Sequence, residues 1–184
     1  MPETTEIGKT LFTQEKIMGR VTELGEQISA DYINKDLAIV AILRGSFIFA
    51  ADLIRSLSVN ASMDFMSISR YGGQTTPGLV RITKDLDESI NGRDVLLVED
   101  IIDTGLTAAY LLRILRQREP VSLEICTLLD KSARRIIDLH IAYRGFEVPD
   151  VFVIGYGLDY QQRHRNLPYI AELQTGGGNS KSNV

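Results

Sequence analysis

Short apolar runs that alternate with helical stripes constrain the fold of this 184-residue chain more than any other feature. Residues 37–43 read LAIVAIL, an unbroken apolar run that stops at Arg44-Gly45. An apolar run this short predicts a strand that is covered on both faces. We expect further strands at residues 63–70, 95–98, 123–129 and 151–154, and helices around residues 13–28, 50–57 and 108–115. This alternation predicts an α/β fold with a mainly parallel sheet flanked by helices.

The distribution of turn residues predicts how the chain is organised. No linker or internal repeat divides residues 1–174, so we expect a single domain there. Residues 175–184 read TGGGNSKSNV, and we expect this tail to be disordered because it has too little apolar surface to offset the entropy of ordering it. Residues 72–78 are rich in turn formers between two strand-like stretches, which predicts either a mobile hairpin lid or an inert surface hairpin.

The composition of the chain indicates which kinds of partner it can bind and where in the cell it is located. The chain has 20 Lys and Arg against 24 Asp and Glu, a net charge of −4, which gives it no general electrostatic reason to coat nucleic acid. No apolar run approaches the roughly 20 residues of a membrane-spanning helix, so we expect no membrane partner. The lone cysteine, Cys126, allows no internal disulfide, which favours a cytoplasmic location.

The stretch VLLVEDIIDTGLT at residues 95–107 carries the chemistry. Its carboxylates, Glu99 and Asp100, follow an apolar strand, and ligands of parallel sheets bind beyond the carboxyl ends of the strands. The turn after them leads into a helix N-terminus, where unpaired N–H groups and the hydroxyls of Thr104 and Thr107 predict a phosphate site. Because carboxylates repel a bare phosphate, the acidic pair instead indicates sugar hydroxyls or a divalent cation. Phosphate beside a diol predicts a ribose 5-phosphate.

This stretch resembles the phosphoribosyl-pyrophosphate signature of the type I phosphoribosyltransferases. Residues 43–53, 84–107, 128–131 and 148–160 extend the resemblance to the hypoxanthine(-guanine) phosphoribosyltransferases. The resemblance implies the type I fold with a small hood subregion and a flexible hairpin lid. It also implies purine salvage, in which a 5-phosphoribosyl group passes from 5-phosphoribosyl 1-pyrophosphate to hypoxanthine or guanine with Mg2+, giving IMP or GMP and pyrophosphate.

The resemblance also implies a role for each residue of the site. Asp103 would be the general acid/base near N7 of the purine. The ribose and the 5-phosphate would be bound by Glu99, Asp100, Ile101, Ile102, Asp103, Thr104, Gly105, Leu106 and Thr107. The metal would be held by Glu99, Asp100 and Asp159, and the pyrophosphate by Arg44, Gly45 and Arg165. The purine would be bound by Lys131, Phe152, Val153 and Asp159.

Three details of the resemblance refine these roles. In the family a non-proline cis peptide precedes the basic residue of the pyrophosphate loop, which is Arg44 here. Lys131 would donate to the oxygen at C6 of the purine, which favours 6-oxopurines over adenine. The lid residues would be Arg70 and Tyr71, and Arg70 stands where the family usually has serine, which suggests a contact between Arg70 and pyrophosphate.

Two other functions remain as alternatives. A transferase for another base, such as xanthine, would use the same site, and the preference among hypoxanthine, guanine and xanthine stays open. A nucleotide-sensing, RNA-binding regulator on the same fold is disfavoured by the acidic balance of the chain. Because the family forms dimers and tetramers, we expect a homodimer or a homotetramer.

Overall fold

The computed structural model describes residues 5–71 and 79–175. The strands and helices of these residues are β1 (Thr5–Phe12), α1 (Gln14–Asp31), β2 (Leu37–Leu43), α2 (Phe47–Ser56), β3 (Ala61–Tyr71), β4 (Leu79–Lys84), β5 (Asp94–Ile102), α3 (Leu106–Arg116), β6 (Ser122–Asp130), β7 (Tyr143–Glu147), β8 (Val153–Ile154) and β9 (Ile170–Thr175). A short 3₁₀ turn, Ser132–Arg134, follows β6.

The strands form a large and a small sheet. The main sheet has the order β4-β3-β2-β5-β6-β7. Within it β2 pairs parallel with β3 and β5, β5 with β6, and β6 with β7, whereas β4 is antiparallel at the edge. The predicted α/β fold with a mainly parallel sheet is therefore confirmed. The small sheet, with the order β1-β9-β8, is antiparallel, and we call it the hood.

Helices cover both faces of the central strands. Ile39 of β2 packs in one core with the apolar sides of α1 and α2, including Phe49. Val40, the next residue, packs in a second core with α3, including Leu111. The two-sided burial predicted for residues 37–43 is confirmed. Within the sheet, β2 and β5 lie side by side as parallel neighbours.

The predicted helices form, with small shifts of their bounds. The helix expected around residues 13–28 is α1, and Thr13 caps it by accepting a hydrogen bond from the amide of Lys16 at 3.4 Å. The helix expected at residues 50–57 begins earlier, at Phe47, and ends at Ser56 because the following residue is extended.

Three strands differ from the predictions. β5 continues past residue 98 because it stays paired with β6, up to the pair Ile102 and Asp130. The strand predicted at residues 151–154 is wrong in its placement, since Val153–Ile154 pairs with β9 in the hood instead of joining the parallel sheet. β7 takes the edge beside β6, and its polar sequence YRGFE contains no apolar run that could predict it.

Two predicted segments fall outside the described residues. These are the lid at residues 72–78 and residues 176–184 of the predicted tail. The prediction of disorder is wrong for Thr175, because this residue ends β9 and pairs with Thr5 of β1. The strands that flank the lid segment pair antiparallel up to Tyr71 and Leu79. Among the helices of the described residues, none combines the length and the apolar character that crossing a bilayer needs.

Candidate active site

Two adjacent carboxylates stand near the carboxyl end of β5. Glu99 is 6 % exposed, and Asp100 is partly buried. The loop that follows the neighbouring strand β2 brings Gly45 against Asp100 of this pair. A Cβ atom on Gly45 would lie 1.5 Å from Oδ2 of Asp100, so the approach requires glycine. The predicted pyrophosphate loop thus meets the acidic pair.

Burial dominates the electrostatics of this pair. It raises the pKa of Asp100 to about 6, and the charge of Asp159 raises it further, whereas backbone hydrogen bonds and Arg165 oppose the shift. Burial also raises the pKa of Glu99 well above its usual value, and the charge of Asp100 is the second cause. Such carboxylates favour binding a proton or a cation, which makes this pair a suitable ligand for a positive ion.

A left-handed glycine shapes the turn between β5 and α3. Gly105 has a φ of 85° and directly precedes Leu106, the first residue of α3. The hydroxyl oxygen of Thr104 accepts a hydrogen bond from the amide of Leu106 at 3.4 Å. Since the amides of a first helical turn have no carbonyl partner within the helix, this turn presents donors to an anion. The start of α3 therefore lies inside the predicted 5-phosphate loop.

A buried ion cluster supports this turn. Asp130, the last residue of β6, is 1 % exposed and pairs with the guanidinium groups of Arg135 and Arg144. Arg135 also donates its Nε to the main-chain oxygen of Asp103 at 3.1 Å. Two amides of the same segment donate to the carbonyl oxygen of Thr104, at 2.9 and 3.2 Å. The segment after β6 therefore fixes the main chain of the turn.

We expect Asp130→Asn to lower the free energy of unfolding by about 2 kcal/mol, because an amide gives the two arginines no counter-charge. The side chain of Arg144 is 49 % exposed and can turn to water, whereas that of Arg135 is 15 % exposed. Urea unfolding measures the difference. Arg144→Ala is the matched control, since it leaves the bond from Arg135 to Asp103 in place. Equal losses in the two variants would contradict a supporting role for Asp130.

The carboxylate of Asp103 lies next to an arginine from the 3₁₀ turn. Its Oδ1 has no hydrogen-bond partner among the described residues, although Nε of Arg134 is 3.4 Å away. Arg134 also lies 3.5 Å from Asp150, two residues before Phe152. A carboxylate oxygen without a donor has the capacity to accept a proton from a ligand.

The predicted pyrophosphate residues meet where the loop after β2 approaches the loop from β8 to β9. The peptide Leu43-Arg44 is cis, as the resemblance implies. Arg165 pairs with the carboxylate of Asp159 at 2.6 Å. Gln162 accepts hydrogen bonds at its Oε1 from Arg44 at 2.9 Å and from Arg165 at 3.1 Å. These contacts bring the two arginines and Asp159 into one cluster.

The predicted purine residues form a second cluster. Lys131, which is 7 % exposed, donates its Nζ to the carbonyl oxygen of Val151 at 2.6 Å. The adjacent Phe152 is 50 % exposed and meets the ring of Tyr160 edge-on, with centroids 5.6 Å apart. Val153 is buried in β8, so its backbone is the part that remains for a ligand. A half-exposed ring that directly follows a residue bound by a lysine is suited to bind a flat base.

Most of the predicted site residues line two adjoining cavities. The first has a volume of about 530 Å³, and its polar lining includes Gly45, Glu99, Asp100, Asp103, Thr104, Gly105, Thr107 and Asp159. The second has a volume of about 550 Å³, shares Gly45, Asp100 and Asp159 with the first, and adds Arg44, Gln162 and Arg165. Both volumes fall in the range of small-molecule sites.

Some predicted site residues line neither cavity. Lys131 and Phe152 are absent from the lining of both cavities. Arg134 lies close to Asp103 and also to Asp150, which is two residues before Phe152. The side chain of Leu106 is 50 % exposed and lines neither cavity, so its backbone is what remains for the phosphate. The side chains of Arg70 and Tyr71 lie outside the described part of the structure, so their roles stay predictions.

Sequence reasoning misses four residues of this region, namely Asp130, Arg134, Arg135 and Gln162. Asp130 carries a weak signal, because a charged residue that ends an apolar parallel strand lies at the ligand edge of the sheet. Arg135 is one of two adjacent arginines in a loop, and Gln162 is one of two adjacent glutamines. Neither residue belongs to a pattern that distinguishes it from its neighbour.

An acidic strand end lies beside a glycine turn and a helix N-terminus and faces a loop that carries arginine, which is the arrangement that the resemblance to the phosphoribosyltransferases implies. Residues 8–161 match the family described as Phosphoribosyl transferase domain.

Particular relatives narrow the class. The Hypoxanthine phosphoribosyltransferase of Haemophilus influenzae is 51 % identical over 167 residues, which cover 89 % of this chain and 93 % of the relative. The Hypoxanthine-guanine phosphoribosyltransferase of Bacillus subtilis is 47 % identical over 170 residues, covering 92 % and 94 %. The crystal structure of a hypoxanthine phosphoribosyltransferase from Staphylococcus aureus superposes with a TM-score of 0.88 at 47 % identity, covering 91 % and 92 %. The chain belongs to the hypoxanthine(-guanine) phosphoribosyltransferase family, so the predicted family and transferase class are confirmed.

Proposed function

We propose that this protein transfers a 5-phosphoribosyl group from 5-phosphoribosyl 1-pyrophosphate to hypoxanthine and guanine, giving IMP or GMP and pyrophosphate. The observation that carries the proposal is the single cavity lined by the acidic pair of β5, by Asp103 and by the Gly105 turn. Such a cavity offers carboxylates for the ribose hydroxyls and amides for the 5-phosphate. The names of the relatives support the choice of 6-oxopurine.

Asp103 is the general acid/base of the proposed reaction. The purine loses a proton as the bond from its ring nitrogen to C1 of the ribose forms. Oδ1 of Asp103, which lacks a hydrogen-bond donor among the described side chains, accepts this proton near N7 of the base. Arg134, at 3.4 Å, orients the carboxylate, and in the reverse direction the same oxygen returns the proton.

The other residues position the donor around the reacting carbon. Glu99 and Asp100 accept hydrogen bonds from the ribose hydroxyls, and the amides after Gly105 bind the 5-phosphate. Arg44 and Arg165 bind the pyrophosphate and stabilise its charge as it departs. The sugar gains positive character in this step, and the nearby carboxylates stabilise it.

The acidic residues fit Mg2+. Burial raises the pKa of both Glu99 and Asp100, and a bound cation would compensate their charge. Among the described residues, no group of three or more His, Cys, Asp or Glu side chains has the arrangement of a metal cage. Mg2+ typically binds one or two carboxylates and takes its other ligands from phosphates and water. One or two of the carboxylates of Glu99, Asp100 and Asp159 would hold it at a time, and it would neutralise charge on the pyrophosphate.

Lys131 and Phe152 select the base. A lysine ammonium has three N–H donors, and the carbonyl oxygen of Val151 takes one of them. Another donates to the oxygen at C6 of hypoxanthine or guanine, whereas the amino group of adenine would face it with donors of its own. Phe152 stacks on the ring, and Val153 and Asp159 complete the purine site. The contacts that the site makes with the group at C2 of the purine determine the preference among hypoxanthine, guanine and xanthine.

A spectrophotometric assay with 5-phosphoribosyl 1-pyrophosphate, Mg2+ and one purine at a time tests the function. We expect product from hypoxanthine and guanine, none from adenine, and loss of activity with excess chelator. Turnover with xanthine alone would favour the transferase for another base. An RNA mobility shift at low salt without turnover of any base would favour the regulator and contradict the proposal.

We further propose a cytoplasmic location and a homodimer or homotetramer. Cys126 is a buried free thiol, and burial raises its pKa, which suits a reducing compartment. Light scattering on the purified chain determines the number of subunits, and a monomer would contradict the proposed assembly.

A further inference from the structure

We propose that Gln162 is a positioning residue that holds Arg44 and Arg165 side by side for the pyrophosphate group without adding a negative charge of its own. This inference rests on the proposed function, because it assigns these arginines to the pyrophosphate of the donor. It adds a residue that neither the sequence pattern nor the family resemblance singles out.

The contacts of the Gln162 amide oxygen carry the inference. Oε1 accepts from Nη1 of Arg44 at 2.9 Å and from Nη2 of Arg165 at 3.1 Å. Arg44 follows β2 of the main sheet, whereas Arg165 lies in the loop between β8 and β9 of the hood. Gln162 therefore connects the two parts of the molecule at the point where the arginines meet.

The position of Gln162 is itself fixed by the loop. Its main-chain amide donates to Oδ2 of Asp159 at 2.8 Å, and its backbone is left-handed with a φ of 65°. Oδ1 of the same aspartate pairs with Arg165 at 2.6 Å. Asp159, Gln162 and Arg165 thus form a closed ring of contacts, and Arg44 is attached to this ring by Gln162.

The chemistry of the amide explains why a glutamine suits this place. Two guanidinium groups close together repel each other, and an oxygen that accepts from both reduces the cost of holding them in one site. A glutamate would make the same hydrogen bonds, but its charge would cancel part of the positive potential and repel the pyrophosphate. Because Arg44, Gln162 and Arg165 line one cavity of about 550 Å³, the anion would meet both arginines there.

Steady-state kinetics of three variants test the inference. Gln162→Glu should raise KM for 5-phosphoribosyl 1-pyrophosphate about 10-fold, and Gln162→Ala should raise it about 3-fold. Gln161→Glu is the matched control, because it adds the same charge on an exposed neighbour. Gln162 is exposed as well, so the two variants differ in contact with the arginines and not in exposure. Gln161→Glu should therefore change this KM by less than about 2-fold, since solvent screens a charge that is not in contact with the guanidinium groups. KM for hypoxanthine and the Kd of IMP should stay within about 2-fold in all three variants.

Two outcomes would overturn the role of Gln162. One is an equal rise of the donor KM in Gln162→Glu and Gln161→Glu. The other is a parallel loss of hypoxanthine and IMP binding in the Gln162 variants, which would indicate a general structural effect.

Calorimetry with inorganic pyrophosphate separates this inference from the proposed function. It measures the affinity of the arginine pair for pyrophosphate without turnover. Gln162→Glu should weaken this binding about 10-fold relative to the unmodified protein. An inactive unmodified protein would refute the proposed function alone. An active protein whose Gln162→Glu variant binds pyrophosphate unchanged would refute this inference alone.

Discussion

Asp103→Asn is expected to lower kcat by about 10²–10⁴ while IMP binds with nearly unchanged affinity. Asparagine keeps the size and one carbonyl oxygen of the side chain, but it cannot take up the proton that the purine loses. The main chain of this residue is held by Arg135, so the substitution leaves the turn in place. Steady-state kinetics and IMP binding by calorimetry measure the two effects.

Asp150→Asn is the matched control for this variant. It removes a carboxylate from the same arginine, because Arg134 lies 3.4 Å from Asp103 and 3.5 Å from Asp150. The side chain of Asp150 is 58 % exposed, and we give it no part in the reaction. We expect its kcat to change by less than about 3-fold. A kcat for Asp103→Asn as high as that of the control would remove Asp103 from the mechanism.

Gly45→Ala is expected to lower kcat/KM for 5-phosphoribosyl 1-pyrophosphate by about 10²-fold. The new Cβ would stand 1.5 Å from Oδ2 and 2.5 Å from Cγ of Asp100, so the carboxylate or the loop must move. Either movement displaces a group that the proposal places on the donor. Steady-state kinetics measure the effect, and thermal unfolding verifies that the variant is folded.

Gly19→Ala provides the control for an added methyl group. Gly19 lies in α1, and a Cβ there would meet no atom within 4 Å. Alanine also favours a helix interior over glycine by about 1 kcal/mol, so this variant should be as active as the unmodified protein and slightly more stable. Undiminished activity of Gly45→Ala would show that the close approach to Asp100 has no part in donor binding.

The sequence predicts the frame of the fold because the frame depends on local apolar patterns. The run at residues 37–43 predicts a buried strand, and the stripe at residues 108–115 predicts α3, and both form. The placement predicted for the strand at residues 151–154 is wrong, because it depends on more than a local pattern. Whether a short apolar run joins the parallel sheet or the hood depends on which distant strand offers an edge, and here β9 does so. That choice is a long-range contact, which no local pattern records.

The predictable and the unpredictable parts of the site also differ in whether their residues are close in the sequence. The acids, the threonines and Gly105 lie in one continuous stretch, so their meeting in one cavity follows from the sequence. The approach of Gly45 to Asp100 and the bridge made by Gln162 join residues far apart in the chain. These contacts depend on how β2 and the loop after β8 are placed, and the fold determines that placement.

A crystal structure of the protein with IMP tests the central claim most directly. We expect the 5-phosphate on the amides of residues 104–107, with the ribose hydroxyls on Glu99 and Asp100 and the base against Phe152. A monophosphate bound elsewhere, with the Gly105 turn free of phosphate, would contradict the account.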